Sequence, residues 1–135
     1  SKEAKIRRIY ILREIKPDTI FTHARSDHFP DHQIVHQLTR ASVLGASGPW
    51  YPEASGTPHQ VKEIFGYEVW SPISDFQMAC DISSVIDRKI ELIRCHQSQI
   101  KDVDYIGAIT GLAKYRGVMS MTGNYAEVFE VLKSG

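Results

Sequence analysis

Lys16-Pro17-Asp18-Thr19-Ile20-Phe21-Thr22-His23-Ala24-Arg25-Ser26-Asp27-His28-Phe29-Pro30-Asp31-His32 carries a helix stop, a strand, a polar loop and a helix start in succession. Pro17 disfavours helix in the residue before it, so a preceding helix stops at Lys16. Asp18 then opens a β-branched and aromatic run, Thr19 to Thr22, which reads as a short buried strand. The polar segment His23 to Asp31 becomes the loop at that strand's C-terminal end. Asp31 is placed to cap a helix running through Ile34, Val35, Leu38 and Val43 to Gly45. Strand, polar loop and helix N-terminus is the place where α/β proteins put ligands.

Upstream, Ile6, Ile9, Leu12 and Ile15 recur at three-residue steps among Lys, Arg and Glu, predicting an amphipathic helix from Lys2 to Lys16. Downstream, Gly45 to His59 holds Gly45, Gly48, Pro49, Pro52, Gly56 and Pro58, too many breakers for regular structure, and is expected to be a mobile or site-covering loop. Val61 to Trp70 and Met78 to Ile82 read as strands. Ser84-x-x-Asp87, a weak relative of the capping box, precedes a helix near Val85 with Ile86, Ile90, Ile93 and Ile100 on one face. Tyr105 to Tyr115 repeats helical spacing, and Ala126 to Leu132 reads as a final strand. The order argues α/β, with residues 1–135 as a single domain. Because such folds are organised around a sheet, a helix-first start leads us to expect the later portion of a domain.

Lys and Arg number 16, as do Asp and Glu, so the broad positive field of a nucleic-acid binder is missing and nucleic acid is not an expected partner. No apolar run approaches the roughly 20 residues of a membrane span, and no signal-peptide core follows the N-terminus. A cytoplasmic location is expected. Cys80 and Cys95 form no CxxC pair, which fits a reducing compartment and buried small side chains.

Three histidines and two carboxylates fall between Thr22 and His32. Imidazole and carboxylate together suit a zinc or other divalent site, where a ligating His also wants a carboxylate to fix its tautomer. The same residues equally fit a solvated loop. His32 and His36 are four apart, but Gln33 stands where a zincin helix has Glu, so His36 reads as a solvent-facing or packing residue. Lys89, His96 and Gln99 fall near one helical stripe, either converging or covering the sheet. Arg116 is placed to bind an anion or to pair with Glu127. No phosphate-cradling Gly-rich loop and no GxSxG elbow occurs.

In order along the chain, Lys16 to Thr22, Asp27-His28-Phe29-Pro30-Asp31-His32, Asp81-Ile82-Ser83, Lys89 through His96-Gln97-Ser98-Gln99, Arg116-Gly117 and Ala126-Glu127-Val128-Phe129 resemble the PIG-L/LmbE family of zinc-dependent de-N-acetylases. The resemblance implies a Rossmann-like (LmbE-like) α/β three-layer sandwich with a mostly parallel sheet. It implies a mononuclear zinc, or ferrous iron, with His32 as one ligand. The family's other His and Asp ligands, and its general-base Asp, lie in a His-Pro-Asp-Asp segment that is not present in these residues. The chain therefore looks like the C-terminal portion of a family member, with an exposed sheet edge available for association, including as a homo-oligomer.

By the same resemblance, His28 stabilises the oxyanion or protonates the leaving amine, and Asp31 orients an imidazole. Asp27, His96 and Gln99 take supporting or structural roles. The implied reaction removes acetate from an N-acetylglucosamine-type or related sugar-derived amide, a small-molecule substrate. The Gly45 to His59 loop is expected to select it, through Trp50, Tyr51 and His59, with Arg25 also in contact. The alternative is a non-catalytic sugar-binding or partner-binding module that keeps the fold without a complete metal site.

Overall fold

The computed structural model describes residues Ser1–Gly135. Helix α1 spans Lys2–Ile15, capped by the Ser1 hydroxyl, which accepts the Ala4 N–H at 3.3 Å. Lys16 takes a left-handed conformation (φ 53°) and its N–H closes on Leu12 O, so the helix ends one residue before Pro17 can obstruct it. Strand β1 (Thr19–His23) and helix α2 (Pro30–Ala46) follow in the expected order, but β1 takes in His23 and is only partly buried, with Phe21 56% exposed. The helix starts on Pro30 without a side-chain cap. Asp31 sits instead inside the first turn, where its charge suits the positive end of the dipole.

Strands β2 (Glu63–Tyr67), β3 (Met78–Asp81) and β4 (Ala126–Lys133) complete a four-stranded sheet in the order β1-β2-β4-β3. The α/β class is as anticipated; within the sheet β1 and β2 run parallel, while β2 and β4 run antiparallel. In the parallel pair, Thr19 sits beside Glu63 and His23 beside Tyr67, so the two strands end together.

The chain forms two compact units, Ser1–Phe76 with Phe129–Gly135, and Gln77–Val128. In the first, Ile9 packs with Ala46 and Ala54, and Val43 with Val61 and Ile64. The three-residue apolar steps of α1 do not stay on this face. Each step turns about 60° short of a full revolution, so Ile15 ends opposite Ile6 and lies 70% exposed. Arg13, one turn after Ile9, is buried in its place.

The Gly45 to His59 loop is not a loose cover, because Arg13 holds it from beneath. The guanidinium donates to Gly45 O, Gly48 O, Trp50 O, Tyr51 O and Ser55 O at 2.5–3.4 Å. Gly56 passes over the Arg13 stem with φ +75°, where a Cβ would come within 2.9 Å of Arg13 Cβ. His59 closes the segment, its ring contacting Pro17 O at 2.7 Å and its N–H reaching Ala46 O at 2.9 Å.

In the second unit, the helix expected after Ser84 is broken. Helix α3 covers Ile86–Arg94, and a short turn, α4, covers Gln97–Ile100 after an interruption at Cys95 and His96. Ser84 and Asp87 form no capping box. Asp81 holds Ser83, whose hydroxyl accepts the N–H groups of Asn124 and Tyr125. Helix α5 (Tyr105–Met119), capped by Asp104, brings Gly117 against Gly123 and Tyr125 backbone, with no room for a Cβ. Glu127 is paired by Lys89 at 2.5 Å. Both cysteines are exposed, which corrects the expectation that they are buried.

Candidate metal centre

The strand-end register places the loops after His23 and after Tyr67 side by side, and Asp27 fastens them together. Its carboxylate is fully buried. Oδ1 accepts the Phe29 N–H at 2.9 Å, and Oδ2 accepts those of Trp70 at 3.0 Å and Ser71 at 3.5 Å. Burial opposes ionisation here, but the Phe29 and Trp70 N–H groups and the His32 side chain outweigh it and hold the carboxyl below its usual range. Asp27 is thus an anion in the interior, held by backbone donors from two loops.

His32, in the first turn of α2, lies with Nδ1 3.2 Å from Asp27 Oδ1. The distance is close, but the approach misses hydrogen-bond geometry, and Nδ1 is buried without a partner. His23 is stacked on it, with ring centroids 3.9 Å apart and planes 7° apart, and its Nδ1 is also buried and unpartnered. His36 donates from Nδ1 to His23 O at 2.8 Å, fixing the end of β1. Burial lowers the His23 pKa most; His32 and His36 add to the shift while Asp27 opposes it, so His23 favours the neutral imidazole a metal ligand needs. One ligand atom each from His23, Asp27 and His32 lies within 4.8 Å of the others. Two orphaned imidazole nitrogens and one ionised carboxylate form a donor set that fits zinc or ferrous iron.

Aromatic rings surround the cluster. Tyr67 lies 5.0 Å from His23, Phe29 4.8 Å from His32, and Phe29 5.8 Å from Trp70. Burial raises the Tyr67 pKa, so its hydroxyl stays protonated at neutral pH.

The sequence candidates divide between this centre and other places. His32 and Asp27 are at its heart. His28 is exposed and tied to Ser71, whose hydroxyl contacts His28 Nδ1 and accepts the His28 backbone N–H. Asp31 is exposed in the first turn of α2, while Ser71 contacts the His28 ring and Asp27 faces His32. Arg25 is exposed, with its backbone N–H on Glu130. Trp50 and Tyr51 are not brought here. They follow the other end of α2, a 17-residue helix about 25 Å long, where Tyr51 accepts from Lys5 at 2.6 Å. His96 and Gln99 belong to the second unit, at the break between α3 and α4, and are exposed. His23 falls in the histidine-rich loop without being singled out by the sequence pattern; its position at a strand's C-terminal end is the available signal.

The fold recurs in solved structures. The whole chain superposes on the conserved protein TT1542 of Thermus thermophilus with TM-score 0.86 and 24% identity. It also superposes wholly on the 4-carboxy-2-hydroxymuconate hydratase of Pseudomonas putida (TM-score 0.80, 22% identity). Over 98% of its length it matches the N,N'-diacetylchitobiose deacetylase of Pyrococcus horikoshii (TM-score 0.84, 22% identity). The α/β fold is the one these three proteins share. The chain spans 60%, 60% and 52% of these three proteins. No protein-family model matches the sequence, and no curated protein matches it. Identities this low establish shared architecture and leave the chemistry to the site.

Proposed function

We propose that this chain carries part of the active centre of a metal-dependent hydrolase that removes the acetyl group from an N-acetylglucosamine-type amide. The observation that carries this reading is the convergence of His23, Asp27 and His32, with two buried imidazole nitrogens lacking partners. His32 is the ligand on which the reading rests, and His23 is the adjacent nitrogen donor. Asp27, with Oδ1 3.2 Å from His32 Nδ1, is the oxygen donor of the set and supplies negative charge. A hydratase shares the fold, so architecture does not choose the reaction. The deacetylase neighbour supports an amide substrate.

A bound zinc or ferrous ion would polarise the acetyl carbonyl and acidify a water. Around it, the chain's own groups hold position and move protons. Asp27 keeps two loops in register. Ser71 holds His28 at Nδ1; as the imidazolium, with Nδ1–H directed at Ser71 Oγ, His28 passes its Nε2 proton to the departing amine. The sum is amide plus water giving acetate and a free amine. The ligands and general base of the His-Pro-Asp-Asp type are, in this proposal, contributed by polypeptide outside these residues.

The test uses the natural protein. Metal content and acetate release from N,N'-diacetylchitobiose are compared among wild type, His32→Ala and His36→Ala. His32→Ala is expected to lose the metal and at least about 100-fold in turnover, whereas His36→Ala keeps the metal. Equal metal content in all three would overturn the ligand assignment.

A further inference from the structure

Phe29 and Trp70 are 40% and 50% exposed, although each sits on a backbone held tightly from below. Phe29 N–H and Trp70 N–H both donate to Asp27, one to each carboxylate oxygen. The segment after Trp70 is closed again by Glu68, which accepts the Ile73 N–H at 2.9 Å. The two rings lie 5.8 Å apart at 54°, and Phe29 is in turn 4.8 Å from the His32 ring. A single exposed aromatic is ordinary on a protein surface. Two of them fixed by the same buried carboxylate, with Phe29 against the His32 ring, make an apolar wall held in place beside the cluster.

We infer that Phe29 and Trp70 form the platform on which the substrate's pyranose ring stacks, presenting its acetamido group to the His23–Asp27–His32 cluster. This rests on the deacetylase reading above and moves substrate selection from the Gly45 to His59 loop to the 29 and 70 pair. A pyranose fits because its axial C–H groups form a flat apolar face that an aromatic ring can cover, while its hydroxyls remain in water. The rings are pre-organised, so little freedom is lost on binding.

The chain has two tryptophans, so Trp50→Phe in the natural protein leaves Trp70 as its only tryptophan among these residues. Titration of that variant with N-acetylglucosamine is expected to give a saturable change in tryptophan fluorescence. Trp70→Ala keeps the N–H that Asp27 needs, and is expected to raise KM about tenfold while kcat moves less than about twofold. Trp70→Phe should restore most of the loss. Metal content should be unchanged in both.

Saturable fluorescence without acetate release would uphold the platform and overturn the hydrolase reading. Acetate release with the same KM in Trp70→Ala as in wild type would uphold the hydrolase and overturn the platform. A fluorescence signal that stays flat across the concentrations that saturate turnover overturns the platform as well. Neither binding nor hydrolysis would overturn both.

Discussion

The loops on either side of α2 are each gathered by one buried charge, of opposite sign. Before the helix, Asp27 collects N–H donors from Phe29, Trp70 and Ser71. After it, Arg13 collects carbonyl oxygens from five residues between Gly45 and Ser55. The difference lies in what each charge has left over. Arg13 spends its four terminal N–H bonds on backbone and faces no titratable or ligand-binding group among those partners. Asp27 still has His32 at 3.2 Å, and through it the stacked His23. A buried charge consumed by backbone fixes a loop; one that also faces an imidazole can tune chemistry.

The largest effect that would sharpen this contrast comes from Arg13→Leu. It removes five charge-assisted bonds and strands buried carbonyls, and is expected to cost about 4 kcal/mol or more. Urea denaturation measures it, and a loss below about 1 kcal/mol would mean that the loop holds itself without Arg13. Asp27→Asn should cost less in stability, about 2–3 kcal/mol, because one oxygen still accepts while the amide NH2 opposes an N–H donor. Its distinctive effect is on metal, with affinity falling about 10- to 100-fold in a metal titration. Wild-type affinity in that variant would reduce Asp27 to the same structural role as Arg13.

How far these two anchors are legible in the sequence differs for a physical reason. The loop from His23 to His32 announces itself, since its polar residues stand between a β-branched strand and an apolar-periodic helix. Asp27 and His32 therefore follow from local pattern. Trp70 does not, because it joins the centre only through the parallel register of His23 with Tyr67, a non-local pairing that no window of sequence contains. Arg13 escapes notice because a charged residue in an amphipathic helix defaults to solvent, and its burial depends on a loop more than thirty residues away. The breakers of Gly45 to His59 correctly exclude regular structure. They carry no information on rigidity, which comes from Arg13. The three-residue spacing in α1 identifies a helix but misjudges its face, as the exposed Ile15 records.

The smallest effect tests the comparison from the other side. Trp50 and Trp70 are almost equally exposed, at 54% and 50%, and both sit in loops whose backbone is clamped by a buried charge. Trp50 lies against Gly48, where a Cβ would come within 2.4 Å of its ring, and beside the Lys5–Tyr51 pair. None of those neighbours is a metal-ligating group. Trp50→Ala should therefore cost about 1 kcal/mol or less in stability and leave KM within about twofold of wild type, even though the residue is the same type and as exposed as Trp70. The paired measurement is KM for Trp50→Ala against Trp70→Ala. A larger rise for Trp50 would return substrate selection to the loop after α2. Exposure and residue type are matched in the two variants, so a larger rise for Trp70 isolates what Asp27 adds by placing its loop beside His32.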